Sequence, residues 1–85
     1  MVEKVFVGKI VHYYPKISVV VVELEDALKV GDKISVERES GSFEQTVESI
    51  QIEHENVEKA EKGQAIGLKV VEKTREGAKV FKVLE

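Results

Sequence analysis

The chain has 85 residues, enough for one small domain with one modest core, and we expect residues 1–85 to form a single domain. It contains no cysteine, which excludes disulfides, thiolate metal sites and cysteine nucleophiles. The net charge is −3, from 13 basic and 16 acidic residues, so the chain as a whole does not attract phosphate. A nucleic-acid role would therefore need a local basic patch.

No apolar run approaches the roughly 18 residues of a membrane-spanning helix. The longest run is ISVVVVEL, and the first residues do not resemble a signal peptide. These features predict a soluble, cytoplasmic protein. Charged residues make up 34% of the chain and are mostly Glu and Lys, a composition typical of proteins from hot environments.

The first half of the chain is rich in valine, and β-branched residues favour strands. Residues 4–14 predict a first strand, with Gly8 at a bulge or a point of close approach. Pro15 marks a turn, because its ring fixes φ and it has no N–H to donate. Residues 17–24 are apolar at almost every position, which predicts a second strand with both faces covered or with one face against a partner.

A turn at Gly31-Asp32 leads into a third predicted strand over residues 33–38. A hairpin follows in which Gly41 supplies a positive φ. The fourth predicted strand covers residues 43–53.

Within that fourth strand the apolar side chains change parity. Phe43 and Val47 share one parity, whereas Ile50 and Ile52 have the other. A strict period of two cannot bury both sets, so we expect a bulge or sharp coil near residues 48–49.

The last part of the chain begins with a polar segment. Residues 54–63 predict a short turn of helix or an irregular loop, and residues 64–73 a fifth strand. A turn over residues 74–78 precedes a sixth strand over residues 79–84. About six short strands separated by turn signals predict an all-β fold, a small closed antiparallel β-barrel.

The chain offers few groups for catalysis. It has two histidines, His12 and His54, and no serine in the context of a nucleophile elbow. His54 lies between two glutamates, which suits a weak metal site or, more simply, a solvated acidic loop. No phosphate-binding glycine loop occurs. We therefore expect no enzyme, no cofactor, no bound metal and no nucleotide hydrolysis.

One cluster is a candidate binding face. The stretch HYYPK places His12, Tyr13, Tyr14 and Lys16 around a rigid turn, and Arg75 could add charge nearby. Tyrosines beside basic groups can stack on bases and hold a phosphate. The same residues are equally common as packing at the rim of a barrel, so both interpretations stay open.

The stretches LKVGDKISV (residues 28–36) and VESIQIEHENVEKAEKGQAIGLKV (residues 47–70) resemble the second domain of the translational GTPases, the elongation-factor-Tu and initiation-factor-two type. Seven residues fall where that pattern expects them: Val47, Ser49, Ile50, His54, Ala60, Gly63 and Gly67. The resemblance implies the translation-protein type of barrel. It also implies a contact role for His54 and places turn or close-approach glycines at Gly31, Gly63 and Gly67.

The chain departs from that family in having no GTPase domain. Its ending, TREGAKVFKVLE, is closer to the small barrel appended to collagenase-like peptidases and related tRNA-modifying enzymes. A chain of this kind is also similar to small archaeal proteins described as elongation-factor-like.

Two functions are expected from these patterns. The first is a non-enzymatic, translation-associated module that binds tRNA, ribosomal RNA or a ribonucleoprotein surface. The alternative is a protein-interaction adaptor that docks on a separately encoded enzyme or translation factor, motivated by the acidic balance and the strand ISVVVVEL.

Overall fold

A computed structural model describes residues 3–39 and 41–84, and every regular element within them is a β-strand. The strands, in chain order, are β1 (Glu3–Tyr14), β2 (Val19–Leu24), β3 (Leu28–Lys29), β4 (Lys33–Arg38), β5 (Gly41–Thr46), β6 (Ile50–Ile52), β7 (Glu55–Val57), β8 (Lys59–Ala60), β9 (Ala65–Lys69) and β10 (Lys79–Leu84). The predicted all-β class is confirmed.

Eight of these strands form one antiparallel sheet in the order β5-β4-β10-β1-β2-β9-β6-β7, and β3 pairs with β8 separately. The long first strand is the centre of the sheet, because its first half pairs with β10 and its second half with β2. Twelve residues are enough to serve two partners in succession.

Two register shifts in β1 decide which of its side chains face the core. One lies between Phe6 and Gly8 and the other between Ile10 and His12. The first shift buries both Val7 and Gly8, which a regular alternation would place on opposite faces. The bulge or close approach predicted at Gly8 is confirmed, because an added Cβ there would lie 2.6 Å from the backbone oxygen of Glu23.

The core is one apolar cluster to which most of the strands contribute. In β2 the side chains alternate: Val20, Val22 and Leu24 are buried, whereas Val19 and Val21 are only half-buried on the outer face. Six of the eight residues from 17 to 24 are β-branched aliphatic residues or leucine. Burial of one face of a strand needs only every second residue, so the valines on the outer face can contact another surface.

The predicted fourth strand, residues 43–53, is not continuous. The sharp coil expected near residues 48–49 is confirmed, because residues 47–49 belong to no strand. β5 ends at Thr46 and β6 begins at Ile50, and the two strands lie in different parts of the sheet. This crossing resolves the change of parity, because Phe43 and Ile50 can both be buried once the chain moves from one strand position to another.

Residues 54–63 form neither a helical turn nor an irregular loop. They carry β7 and β8, and β7 pairs with β6 through a two-residue connection at Glu53-His54. These short pieces raise the strand count above the predicted six. The turn at Pro15 and the hairpin from β4 to β5 are confirmed, with a positive φ of 126° at Gly41.

The remaining strand predictions hold with changed bounds. The predicted fifth strand shortens to β9, and the sixth coincides with β10. No helix within the described residues is long and apolar enough to cross a membrane.

Candidate functional site

The outer face of the sheet carries a shallow apolar trough across β2 and β9. Its floor follows from the register, in which Val21 pairs with Gly67, and Gly67 in turn pairs with Gln51. Ala65 lies two residues before Gly67, and so on the same face of β9. We use the name trough for this depression, whose volume is about 480 Å³. The residues that define it are Tyr14, Ile17, Val21, His54, Ala65 and Gly67.

Small residues keep the floor of the trough low. Gly67 has no side chain, and a Cβ added there would meet its nearest neighbour at 3.7 Å, an ordinary contact. The position could therefore hold a Cβ without disturbing the strand. Ala65 adds a second small residue to the same strand.

Exposed apolar groups flank this floor. Ile17, in the turn between β1 and β2, is 61% exposed, and Tyr14 at the end of β1 is 45% exposed. A single exposed apolar residue is ordinary, but several around one depression are typical of a binding surface.

The turns that flank the trough contain strained backbone. Glu53 and His54 have φ of 51° and 67°, and Ser18, next to Ile17, has φ of 55°. A two-residue hairpin connection of type I′ has positive φ at both central residues, as here, and Asn-Gly adopts it more easily than Glu-His does. Such strain concentrates at functional sites, and here every non-glycine case among the described residues lies beside the trough.

The structure divides the predicted cluster HYYPK between two faces. Tyr13 packs against the core, whereas Tyr14 faces outward and lies against His12 with ring centroids 4.5 Å apart. Nδ1 of His12 lies 3.1 Å from a carboxylate oxygen of Glu76. Lys16 is exposed.

Of the other predicted site residues, His54 joins Tyr14 in the trough, and Arg75 does not. The guanidinium of Arg75 pairs with the Glu39 carboxylate at 2.6 Å and lines a different cleft. Of the predicted set, the trough therefore contains one tyrosine and one histidine, and the arginine lies elsewhere.

The predicted glycines take different parts. Gly31 and Gly63 adopt positive φ of 98° and 91° in turns, a conformation that side chains rarely allow. Gly67 lies in a strand with no such φ, and its nearest contacts are ordinary. The tightest backbone approach among the glycines is at Gly8.

Sequence reasoning did not single out Ile17, Val21 or Ala65. The signal for Val21 was present, since the apolar run over residues 17–24 predicted a strand with both faces covered or with one face against a partner. Ile17 begins the same run, but Ala65 had no such signal, because only the pairing of β9 with β2 and β6 brings it to this depression. Within the described residues, no group of three or more His, Asp or Glu side chains could hold a metal ion.

No family model matches the chain. It is similar to a Methanocaldococcus jannaschii protein named as an uncharacterized protease, with 40% identity over 83 residues, and to a Porphyromonas gingivalis protein named collagenase, with 38% identity over 82 residues. These matches take in 96% and 94% of this chain and 20% of each relative. The chain thus spans about a fifth of the length of the curated relatives it matches.

The fold is similar to that of a solved domain. That structure is the C-terminal domain of a Geobacillus thermoleovorans protein described as a putative U32 peptidase. Its superposition on this chain gives a TM-score of 0.85 with 21% sequence identity. The match covers 91% of this chain and 90% of that domain. At 21% sequence identity, this similarity shows that the two domains share a fold.

These comparisons correct the functional predictions. The similarity to collagenase-like proteins, predicted from the ending of the chain, is confirmed, whereas the resemblance to the second domain of translational GTPases is not supported. The expectations of an elongation-factor-like, RNA-binding translation module, and of an adaptor for a separately encoded factor, are wrong, because the relatives are named protease and collagenase.

The prediction that the chain is not an enzyme is also contradicted, because those names belong to enzymes. The sequence misled here because short elements of an all-β domain, such as LKVGD followed by a strand, carry fold information that many functions share.

Proposed function

We propose that the chain serves as a domain of a collagenase-like, U32-type peptidase, and that its trough binds a segment of polypeptide. The observation that carries this proposal is the trough itself, an outward-facing apolar surface with a low floor at Gly67. The names of the similar proteins, protease and collagenase, support a polypeptide as the occupant.

The chemistry of the trough suits an unfolded segment with an apolar side chain. A bound side chain would cover Ile17 and Tyr14, both now in contact with water. Covering apolar surface contributes about 25 cal/mol per Å², so a single well-placed side chain supplies about 1.5–3 kcal/mol. The affinity for one segment would be modest, as suits a surface that holds a long polypeptide for a neighbouring catalytic part.

The sheet that carries the trough would be a closed barrel in this proposal. Support comes from β5, at one end of the strand order, whose Gln45 side chain accepts a hydrogen bond from the Val71 N–H at 2.9 Å and donates one to the Lys69 carbonyl at 2.8 Å. Backbone bonds of Val47 to Gly31 and Asp32 tie the chain after β5 to the turn after β3.

The same proposal includes one domain over residues 1–85 and a cytoplasmic location. A single core cluster shared by most of the described strands supports the one domain. The lack of cysteine suits a reducing compartment.

Measuring the binding of the chain to immobilised denatured type I collagen and to immobilised unfolded casein tests whether the trough binds polypeptide. Gly67→Val fills the floor with a side chain that strands favour, and Ile17→Ser removes an exposed apolar flank. We expect each change to weaken binding about fivefold or more, because each removes part of one buried side chain's contribution.

Val71→Ser is the matched control, since Val71 is 66% exposed but lies outside the trough. It should leave binding unchanged. Failure of the unsubstituted chain to bind either polypeptide, or an equal loss in the Val71 control, would overturn the proposal. Urea unfolding of each variant shows whether a loss comes from misfolding.

A further inference from the structure

A second cleft lies between the turn that joins β4 to β5 and the loop that follows β9. Its volume is about 550 Å³, and it shares no residue with the trough. The residues that line it are almost all charged: Arg38, Glu39, Glu72, Lys73, Thr74 and Arg75.

Arg38 is held rigidly at this cleft. Its side chain is only 17% exposed, and its guanidinium carbon lies 4.9 Å from the centroid of the Phe43 ring. Nη2 donates to the Glu72 carboxylate at 3.4 Å, near the upper limit for a hydrogen bond. Nε is buried and has no hydrogen-bond partner among the described residues. A rigid, planar guanidinium with unused donors suits recognition of a carboxylate.

A second buried donor belongs to the same cleft. Thr74 is 9% exposed, and its hydroxyl oxygen is buried without a partner in the described part of the chain. Buried polar groups are nearly always hydrogen-bonded, so two unpartnered groups on residues that line one cleft indicate that an acceptor belongs there. The Thr74 hydroxyl and the Arg38 Nε–H are both hydrogen-bond donors, and donors of this kind suit an anionic group.

The charges of the cleft favour a single negative charge. Three cationic side chains face two carboxylates, which gives a net charge of +1 in a chain whose total is −3. Glu39 is already paired with Arg75 at 2.6 Å. Glu72 is 54% exposed and weakly held, so it is the group that an incoming anion would replace at Arg38.

We propose that this cleft binds a carboxylate of a polypeptide, either a chain terminus or an acidic side chain, which replaces Glu72 on the guanidinium of Arg38. That the carboxylate is a polypeptide's rests on the proposed function. Recognition of the carboxylate itself is tested separately, with peptides short enough to contact the cleft alone. A failure of one proposal is thus distinguishable from a failure of the other.

The Nε–H resonance of Arg38 in ¹H–¹⁵N NMR spectra reports binding directly, because an acceptor shifts that proton. Three peptides are compared: acetyl-tetraalanine with a free C terminus, the same peptide amidated, and an amidated form with one internal Asp. We expect the Arg38 signal to shift with the free terminus or with the Asp peptide, and not with the uncharged one. A shift with the first alone identifies a chain terminus. No shift with either charged peptide, or an equal shift with the uncharged one, overturns the proposal.

Two substitutions should change the affinity in opposite directions. Glu72→Gln removes the competing carboxylate and should tighten binding, by about threefold to tenfold. Arg38→Lys loses the planar fork and should weaken it by about tenfold or more. Glu44→Gln changes the same charge outside the cleft and should have little effect. If Arg38→Lys does not fold, the exposed Glu72 variant still decides, since an affinity no greater than that of the Glu44 control contradicts the proposal.

Discussion

The close approach at Gly8 predicts a large effect from one methyl group. Replacing Gly8 by Ala would place the new Cβ 2.6 Å from the backbone oxygen of Glu23 and 2.7 Å from a methyl carbon of Val22. Both distances are well inside van der Waals contact. Because one of the atoms is backbone in the paired strand β2, relief requires β1 and β2 to separate locally or to change register.

Two opposing contributions set the magnitude. Overpacking of this kind typically costs about 1–3 kcal/mol. Alanine also restricts the unfolded chain, which stabilises the fold by about 0.4–1 kcal/mol where the native φ allows it. The net expectation for Gly8→Ala is a loss of about 1–2 kcal/mol in the free energy of unfolding. For a chain of this size, that corresponds to a fall in Tm of about 5–15 °C.

Urea unfolding followed by circular dichroism, together with a thermal melt, measures this loss. Gly67→Ala is the matched control, because its Cβ would meet only ordinary contacts from 3.7 Å outward. We expect the control to be unchanged or slightly more stable. The reasoning is refuted if Gly8→Ala is as stable as Gly67→Ala, since the same methyl group would then fit at both positions.

Two further changes test other parts of the structure. Gln45→Ala removes the hydrogen bonds to the Lys69 carbonyl and the Val71 N–H, and should lower the free energy of unfolding by about 1–2 kcal/mol. If hydrogen exchange at the Val71 amide is unchanged, Gln45 does not bridge β5 to the end of β9. Replacing Glu53 and His54 together by Asn and Gly keeps the positive φ at both positions but lowers its energetic cost. The free energy of unfolding should rise by about 1–2 kcal/mol, and the midpoint of urea unfolding with it. A lower midpoint would show that the turn is not strained.

Local patterns in the sequence were sufficient for the class of fold and for its turns. The valine-rich runs predicted strands, Pro15 and Gly41 predicted turns, and Gly8 predicted an irregular or crowded position; the structure agrees on each. These features depend on side-chain branching and on φ preferences, which act over a few neighbouring residues. The same patterns did not identify the function, because they describe an all-β fold and no particular site.

The candidate sites were also predicted only in part from the sequence. Tyr14 and His54 were predicted as site residues, and the trough does contain both. Arg75 was expected beside them, yet it lies at the charged cleft. Arg38 was not predicted, because nothing near it in sequence distinguishes it from other arginines.

The sequence by itself therefore determined where this chain extends, where it turns and which residue types it lacks. Only the tertiary structure decided that β1 serves two partners, that residues 43–52 divide between two strand positions, and that Arg38 and Thr74 line one cleft. The physical reason is that each of these depends on strands paired over long sequence separations. Their register is selected by the burial of one shared core, and no short stretch of sequence contains that information.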